Sequence, residues 1–212
     1  KHYGNDFDAT RYLDRFFDLR AALPKLDLEK YYATIDFKRN DDRFNYVCES
    51  VINEYQFEMR NIAKYIRLAK IAVPKSVREG NASIPHHTTK RNAFSFYMTY
   101  LVPIMLGLKL TDTERFENFV NGKDCTPLLD FQECFRVCRF ADWALQNDKN
   151  SGDNEAAVIE NTIKEIYDAI FIEEYEDKTY QRVDDMYFDK ETKNSVMCIA
   201  GLMSSSASFD EE

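Results

Sequence analysis

The chain has 212 residues, of which 44% are hydrophobic and 31% are charged, a balance typical of a soluble globular protein. Its six glycines and five prolines are too few for the frequent turns of a many-stranded β fold, so the composition favours helices. The formal net charge of −9 argues against nucleic acid or an anionic membrane surface as the main partner.

The charge is unevenly distributed along the chain. Residues 59–91 contain eight Lys or Arg and one acid, Glu79, so this stretch has a net charge of +7 and the rest of the chain carries −16. A local basic surface can therefore still meet phosphates or an acidic partner, although the chain as a whole is acidic.

The five cysteines and three histidines have spacings that fit no zinc site. Cys134 and Cys138 have the i, i+4 spacing of two ligands on one helix face, but they lie among aromatic residues and no second pair completes the set. We therefore predict that they are core residues and that the chain holds no metal. An odd number of irregularly spaced cysteines indicates free thiols and a reducing, cytoplasmic compartment.

The N-terminal part of the chain is predicted to form four helices. A helix over 8–20 is followed by a shorter one over 27–37. The clearest apolar periodicity, at i, i+3, i+4 and i+7, lies in 44–55, and the next helix spans 57–73. The polar residues of 75–89 are predicted to form a loop.

Residues 92–108 carry no charge over 17 positions. A membrane span needs about 20 apolar residues, and this shorter run also contains polar side chains and Pro103. We therefore predict a buried central helix over 90–109 that is kinked or broken at Pro103, and no membrane segment.

Four further helices are predicted in the C-terminal half. The first ends at residue 120 and is capped by Thr111 or Asp112. The others span 127–146, 155–175 and 189–202, with a polar linker over 146–154 and a frayed tail. No clear strand alternation is present, so the predicted fold is all-α, an irregular array of about nine helices.

The helix over 57–73 carries the main candidate binding residues. Arg60, Lys64 and Arg67 are spaced i, i+4, i+7 and share one face, away from an apolar stripe. From spacing alone, a solvent-exposed basic face is the simpler interpretation. The alternative is a row of cations that binds phosphates or an acidic partner surface.

Arg15 is a further candidate, on the polar side of the helix predicted over 8–20. Asp14 and Asp18 are close enough in sequence to pair with it. A surface arginine without a binding role is therefore the simpler interpretation for this residue.

Three stretches of the chain form an ordered set: "YGNDFDATRYLDRFFDLRAALP" (3–24), "FEMRNIAKYIRLAKIAV" (57–73) and "YLVPIMLGLKLTDTERFENFVNGKD" (100–124). The first resembles the Y-G-x-x-F-D and Y-L-x-[KR]-F-F-D element that follows the ATPase core in the KAP family of P-loop NTPases. The second resembles that family's L-x-x-R-x-I-x-[KR]-Y-x-R helix, and the third its L-x-P-[IL]-L-x-x-L-K helix. The resemblance covers the first 124 residues, and 125–212 match no such pattern.

The resemblance implies that the chain is the lid-like C-terminal region of an ATPase related to AAA+ and STAND proteins. The P-loop and Walker B acids, with bound ATP and Mg, would then lie upstream, and the first residue, Lys rather than Met, agrees with a fragment of a longer protein. The chain has no Gly-rich phosphate loop, so we expect it to be inactive alone.

The resemblance also suggests roles for the cations. In the related ATPases an Arg early in a lid helix senses the γ-phosphate, and Arg60 occupies the matching position, with Lys64 and Arg67 further along the same face. Arg15 would face a nucleotide across a subunit boundary. A planar, permanently charged guanidinium suits such roles because it neutralises the transferring phosphoryl group.

We expect three parts: the end of the ATPase core with a hinge (1–24), a helical lid-like domain (25–150) and a C-terminal helical extension (151–212). The implied function is to couple nucleotide state to a protein partner or to self-association. Family members often act in antiphage defence and at the inner face of a membrane. The alternative function is a stand-alone helical protein–protein interaction module without nucleotide chemistry.

Overall fold

The computed structural model describes residues 28–34, 37, 43–73, 93–148, 154–176 and 179–205. These residues form ten helices and one two-stranded hairpin, which confirms the predicted all-α class. The helices are α1 (Leu28–Thr34), α2 (Arg43–Glu54), α3 (Met59–Ala72), α4 (Ala93–Thr111), α5 (Thr113–Val120), α6 (Thr126–Leu129), α7 (Gln132–Val137), α8 (Asp142–Asp148), α9 (Glu155–Tyr167) and α10 (Lys190–Ser205). The strands are β1 (Tyr180–Val183) and β2 (Met186–Asp189).

Most predicted helices are confirmed to within a few residues. In α2 the predicted apolar face is buried, because Phe44, Val47, Cys48, Val51 and Ile52 all point into the core. Asp112 is confirmed as the N-cap of α5, since its carboxylate accepts a hydrogen bond from the Arg115 N–H at 2.9 Å. The helix predicted over 8–20 and the loop predicted over 75–89 lie outside the described residues.

Helix α4 lies at the centre of the fold and contacts α2, α3, α5, α6 and α10. Within the described ranges it is the one helix long and apolar enough to cross a membrane, but 72% of that apolar stretch is buried inside the protein. It therefore has the environment of the core helix of a soluble protein. Its length matches the predicted central helix.

The chain passes Pro103 without a break in α4. Residues Tyr97–Leu101 form a π-helical turn in which the Val102 N–H bonds to the Tyr97 carbonyl. In a regular α-helix the proline ring would clash with the carbonyl four residues earlier, and the wider π turn relieves that crowding. Of the predicted kink or break at Pro103, the break is therefore wrong, and the irregularity of the helix is the π turn just before the proline.

The long helix predicted over 127–146 is also wrong. The chain forms three short helices there, α6, α7 and α8, and turns between them at Phe131 and at Cys138–Ala141, where Arg139 has a left-handed φ of 63°. The turn after α7 brings Phe140 to 5.3 Å from the Phe96 ring, so that both rings are buried. Aromatic packing against α4 therefore overrides the helical periodicity.

Tyr100 of α4 fixes the corner between α6 and α7. Its hydroxyl is fully buried and lies 3.1 Å from the carbonyl oxygens of Leu128 and Phe131, so it adds a donor to carbonyls that also accept from the Phe131 and Phe135 N–H groups.

Tyr100→Phe is expected to lower the free energy of unfolding by about 1 kcal/mol, because the buried hydrogen bond of the Tyr100 hydroxyl is lost. Urea unfolding measures the change. Tyr180→Phe is the control, since the Tyr180 side chain is 63% exposed and makes no hydroxyl hydrogen bond among the described residues. Equal effects of the two variants would contradict the role of the Tyr100 hydroxyl.

The helix predicted over 155–175 forms as α9 and a π-helical turn, Asp168–Ile172, after which 173–176 are not helical. Helix α9 packs against α6, α7 and α8, and the π turn packs against α10. The β1–β2 hairpin follows. It pairs Tyr180 with Asp189 and Val183 with Met186, and it was not predicted from the sequence. The helix predicted over 189–202 is confirmed as α10, while 206–212 lie outside the described residues.

Candidate functional site

The candidate site is the basic row of α3, defined as Arg60, Lys64 and Arg67. Helix α3 is held by its opposite face, where Ile62, Tyr65, Ile66 and Ala69 are buried. The Tyr65 hydroxyl also donates to the Pro103 carbonyl at 3.1 Å and so ties α3 to α4. This anchoring fixes the direction in which the basic row points.

The cations of the basic row differ in their surroundings. The side chains of Arg60 and Arg67 are exposed, and neither has an ion pair within the described part of the chain. Lys64, between them, is half-buried and interacts with neighbouring groups. The two arginines therefore keep their full donor capacity for a ligand or a partner.

An open groove of about 500 Å³ lies beside the first turn of α3, where α2 ends. The lining residues are Ile52, Asn53, Gln56, Phe57, Glu58, Met59 and Ile62. Glu58 is the N-cap of α3, and its side chain makes no capping hydrogen bond. A mostly apolar lining with one carboxylate does not suit a triphosphate, so a phosphate near Arg60 would have to be held by groups outside the described residues.

The outcome differs among the other residues singled out in the sequence. Arg15 lies outside the described residues, and so do His86 and His87, two of the three histidines whose spacing fits no zinc site. Cys134 and Cys138 are buried, as predicted, and burial raises the pKa of the Cys138 thiol to about 12. A thiol with so high a pKa stays protonated and is a poor nucleophile or metal ligand.

Asp184 is a feature that the sequence analysis missed. It occupies the two-residue turn between β1 and β2 with a left-handed φ of 56°, and the residue is only 8% exposed. Neither carboxylate oxygen makes a hydrogen bond of good geometry within the described part of the chain, although the Ala144 N–H interacts with the carboxyl group. Asp-Asp is not one of the usual two-residue hairpin turns, such as Asn-Gly or Asp-Gly, so the sequence signal for this turn was weak.

Burial raises the pKa of the Asp184 carboxyl to about 7. The carboxylates of Asp185 and Asp142 act in the same direction, while the Ala144 N–H and the Arg182 guanidinium offset the shift in part. The carboxyl group of Asp184, which lies against α8, therefore changes its charge near neutral pH.

Comparisons with family models, with curated proteins and with solved structures found no match for this chain. The resemblance to the KAP family and the roles that it implies for the basic row therefore stay predictions.

Proposed function

We propose that this chain is the helical lid and regulatory portion of a KAP-type P-loop ATPase, which couples the nucleotide state of an upstream core to a partner or an oligomer. The proposal rests on the ordered resemblance of three stretches and on the all-helical fold. The single observation that carries it is Arg60, exposed in the first turn of α3 with no ion pair among the described residues.

The chemistry assigned to Arg60 is charge neutralisation. When ATP and Mg occupy the upstream core, the Arg60 guanidinium approaches the γ-phosphate as the lid closes, and its planar fork donates to the phosphate oxygens. Loss of the γ-phosphate removes that contact and lets the lid open, a two-state switch. The chain alone supplies no phosphate cradle, so it is not catalytic, and its proposed compartment is the cytoplasm.

Arg60→Ala in the intact protein is expected to lower ATP turnover on the order of 100-fold, as for removal of one transition-state donor. The variant should keep the fold, because the side chain is exposed. Turnover is measured by phosphate release and folding by circular dichroism. Arg67→Ala is the comparison variant within the basic row, since Arg67 is also exposed but lies about two turns farther along α3, and a clearly smaller loss of turnover there would assign the contact to Arg60.

Unchanged turnover in Arg60→Ala would remove Arg60 from the mechanism. The wider proposal has a simpler check, which is the coding sequence before Lys1. The proposal fails if the gene encodes no P-loop within about 300 residues before Lys1, a span set by ordinary domain sizes.

A helical interaction module without nucleotide chemistry is the second candidate function. Large apolar side chains exposed among the described residues support it, and Ile71 (72%) and Leu202 (65%) are the most exposed of them. A protein partner would bury such side chains. Light scattering and pull-down experiments on the 212-residue chain test this function, and a strict monomer without a partner would contradict it.

A further inference from the structure

The turn between β1 and β2 lies against the first turn of α8. Asp184, the first of the two turn residues, is buried and has a left-handed φ of 56°. Its carboxyl group interacts with the N–H of Ala144, the third residue of α8. The N–H groups in the first turn of a helix have no partner within that helix. The contact therefore joins the tip of the hairpin to the open end of α8.

The groups around this carboxyl oppose a negative charge on it. The carboxylates of Asp185, in the same turn, and of Asp142, the first residue of α8, both repel it. Asp142 is itself paired with Arg139, whose Nε atom lies 2.6 Å from the Asp142 carboxylate. The Arg182 guanidinium of β1 attracts the carboxyl group, but its Nε–H donates to the Asp184 backbone carbonyl at 2.9 Å. A proton on Asp184 therefore removes two repulsions and the cost of burying a charge.

We propose that the β1–β2 turn is a pH-sensitive latch, which lies on α8 while Asp184 carries its proton and opens locally after the proton is lost. The latch consists of Asp184, Asp185 and the first turn of α8. In the closed latch an ionised carboxylate is buried between like charges. Opening moves that carboxylate into water, where it is hydrated.

The direction of the pH dependence follows from the two states of the turn. The pKa of the Asp184 carboxyl is about 7 in the closed latch, against the ordinary 3.8 of a carboxyl in water. Between about pH 4 and about pH 7, opening therefore releases one proton, and the opening constant rises about tenfold per pH unit. Below this range both states hold the proton, and above it neither does, so the constant is level on both sides.

The hairpin is built for local opening. A two-stranded hairpin alone is marginally stable in water, so this one depends on the buried side chains of Val183, Met186 and Phe188. Val183 and Met186 pair directly beside the turn. Phe188 lies farther along β2, with its ring 6.0 Å from the Tyr97 ring of α4. Opening of the turn therefore exposes Val183 and Met186 while Phe188 stays packed on α4.

This inference goes beyond the proposed function, because the latch uses no residue of the basic row. Failure of the latch would leave the effect of Arg60→Ala on ATP turnover unchanged. A pH-dependent free energy of unfolding would not by itself show a latch, since complete unfolding exposes the same Asp184 carboxyl. The experiment therefore has to separate local opening from unfolding of the whole chain.

Amide hydrogen exchange of the 212-residue chain, at several pH values and at low urea concentrations, makes that separation. The Val183 and Met186 amides report on the turn, and the amide of Met105, fully buried in α4, reports on complete unfolding. The opening constant at the turn is expected to rise on the order of 100-fold from pH 5 to pH 8. It should hardly depend on urea, because local opening exposes little surface, whereas exchange at Met105 should depend on urea fully.

Asp184→Asn removes the titrating group, so its opening constant at the turn should not change with pH. Asp185→Asn keeps the buried carboxyl and removes one repulsion, so the rise should be smaller and should level off at a lower pH. Glu174→Gln is the matched control, because it removes one negative charge from an exposed residue outside the latch. It should keep the full rise.

Three results would each overturn the latch. The first is an opening constant at the turn that does not change with pH in the unchanged protein, and the second is a rise that persists in Asp184→Asn. The third is a urea dependence at Val183 and Met186 equal to that at Met105, because the turn would then open only when the whole chain unfolds.

Discussion

Asp184→Asn is expected to raise the free energy of unfolding at pH 8 by on the order of 3 kcal/mol and to leave it almost unchanged near pH 4. The folded protein buries the Asp184 carboxyl, the Ala144 N–H offsets the cost of burial only in part, and the pKa of the carboxyl is about 7 rather than the ordinary 3.8. Asparagine stays neutral at every pH and tolerates the same left-handed φ of 56°.

The sign of this pH dependence follows from proton binding. Between about pH 4 and about pH 7 the folded state binds a proton at Asp184 that the unfolded state has lost. The contribution of this carboxyl to stability therefore falls as the pH rises through that window and stays low above pH 7. The Asp184→Asn variant lacks this decrease in the free energy of unfolding. Its stability should therefore equal that of the unchanged protein at low pH and exceed it at high pH.

Urea unfolding at several pH values measures the effect. Asp185→Asn is the control, because it removes the same charge from the next residue, which is only half-buried. Its stabilisation should be smaller, since it removes a repulsion from Asp184 without removing the buried carboxylate. Equal gains from the two variants would mean that repulsion within the turn, rather than burial, is the cause.

Gly107→Ala is expected to lower the free energy of unfolding by about 2 kcal/mol, because it overpacks the crossing of α2 and α4. A Cβ atom added at Gly107 would lie 2.3 Å from the Val51 Cγ1 atom and 3.2 Å from carbons of the Tyr55 ring. Val51 is fully buried and β-branched, so it has little freedom to move away. The higher helix propensity of alanine, worth about 1 kcal/mol, offsets only part of this cost.

Gly201→Ala in α10 is the matched control. An added Cβ there meets no atom within 4 Å, so alanine should stabilise the protein by about 0.5 to 1 kcal/mol. The double variant Val51→Ala/Gly107→Ala should lose less free energy of unfolding than the two single variants lose together, by about 1 kcal/mol or more. The smaller side chain at position 51 makes room for the new Cβ atom at position 107. If the free-energy changes of the single variants simply add in the double variant, the Val51 side chain and the added Cβ atom at position 107 do not clash.

Several helices could be predicted because their apolar residues repeat at helical spacing and form one buried face. In α2 and α9 the apolar residues repeat at helical spacing, and burial of that single face fixes both the length and the orientation of the helix. Asp112 was predictable as a cap for a similar reason, because its carboxylate satisfies an N–H three residues away. The position of the basic row on the exposed side of α3 follows from the same periodicity.

Other features depend on residues that are distant in sequence. The predicted helix over 127–146 divides because Phe96 and Tyr100 of α4 offer aromatic partners to Phe140 and a hydroxyl to the end of α6. The β1–β2 hairpin has a turn with a weak signal, and it is stabilised by burial of Val183, Met186 and Phe188. Neither cause can be read from a local window of sequence.

By itself, the sequence determined the helical class, the amphipathic faces, the central buried helix and the basic row, because each depends on residues within two or three helical turns. Only the tertiary structure decided that a π turn precedes Pro103 in the central helix and that the Asp184 carboxyl is buried in the hairpin turn. These features depend on which surfaces meet, and burial of a side chain is set by the neighbours that the whole chain brings to it.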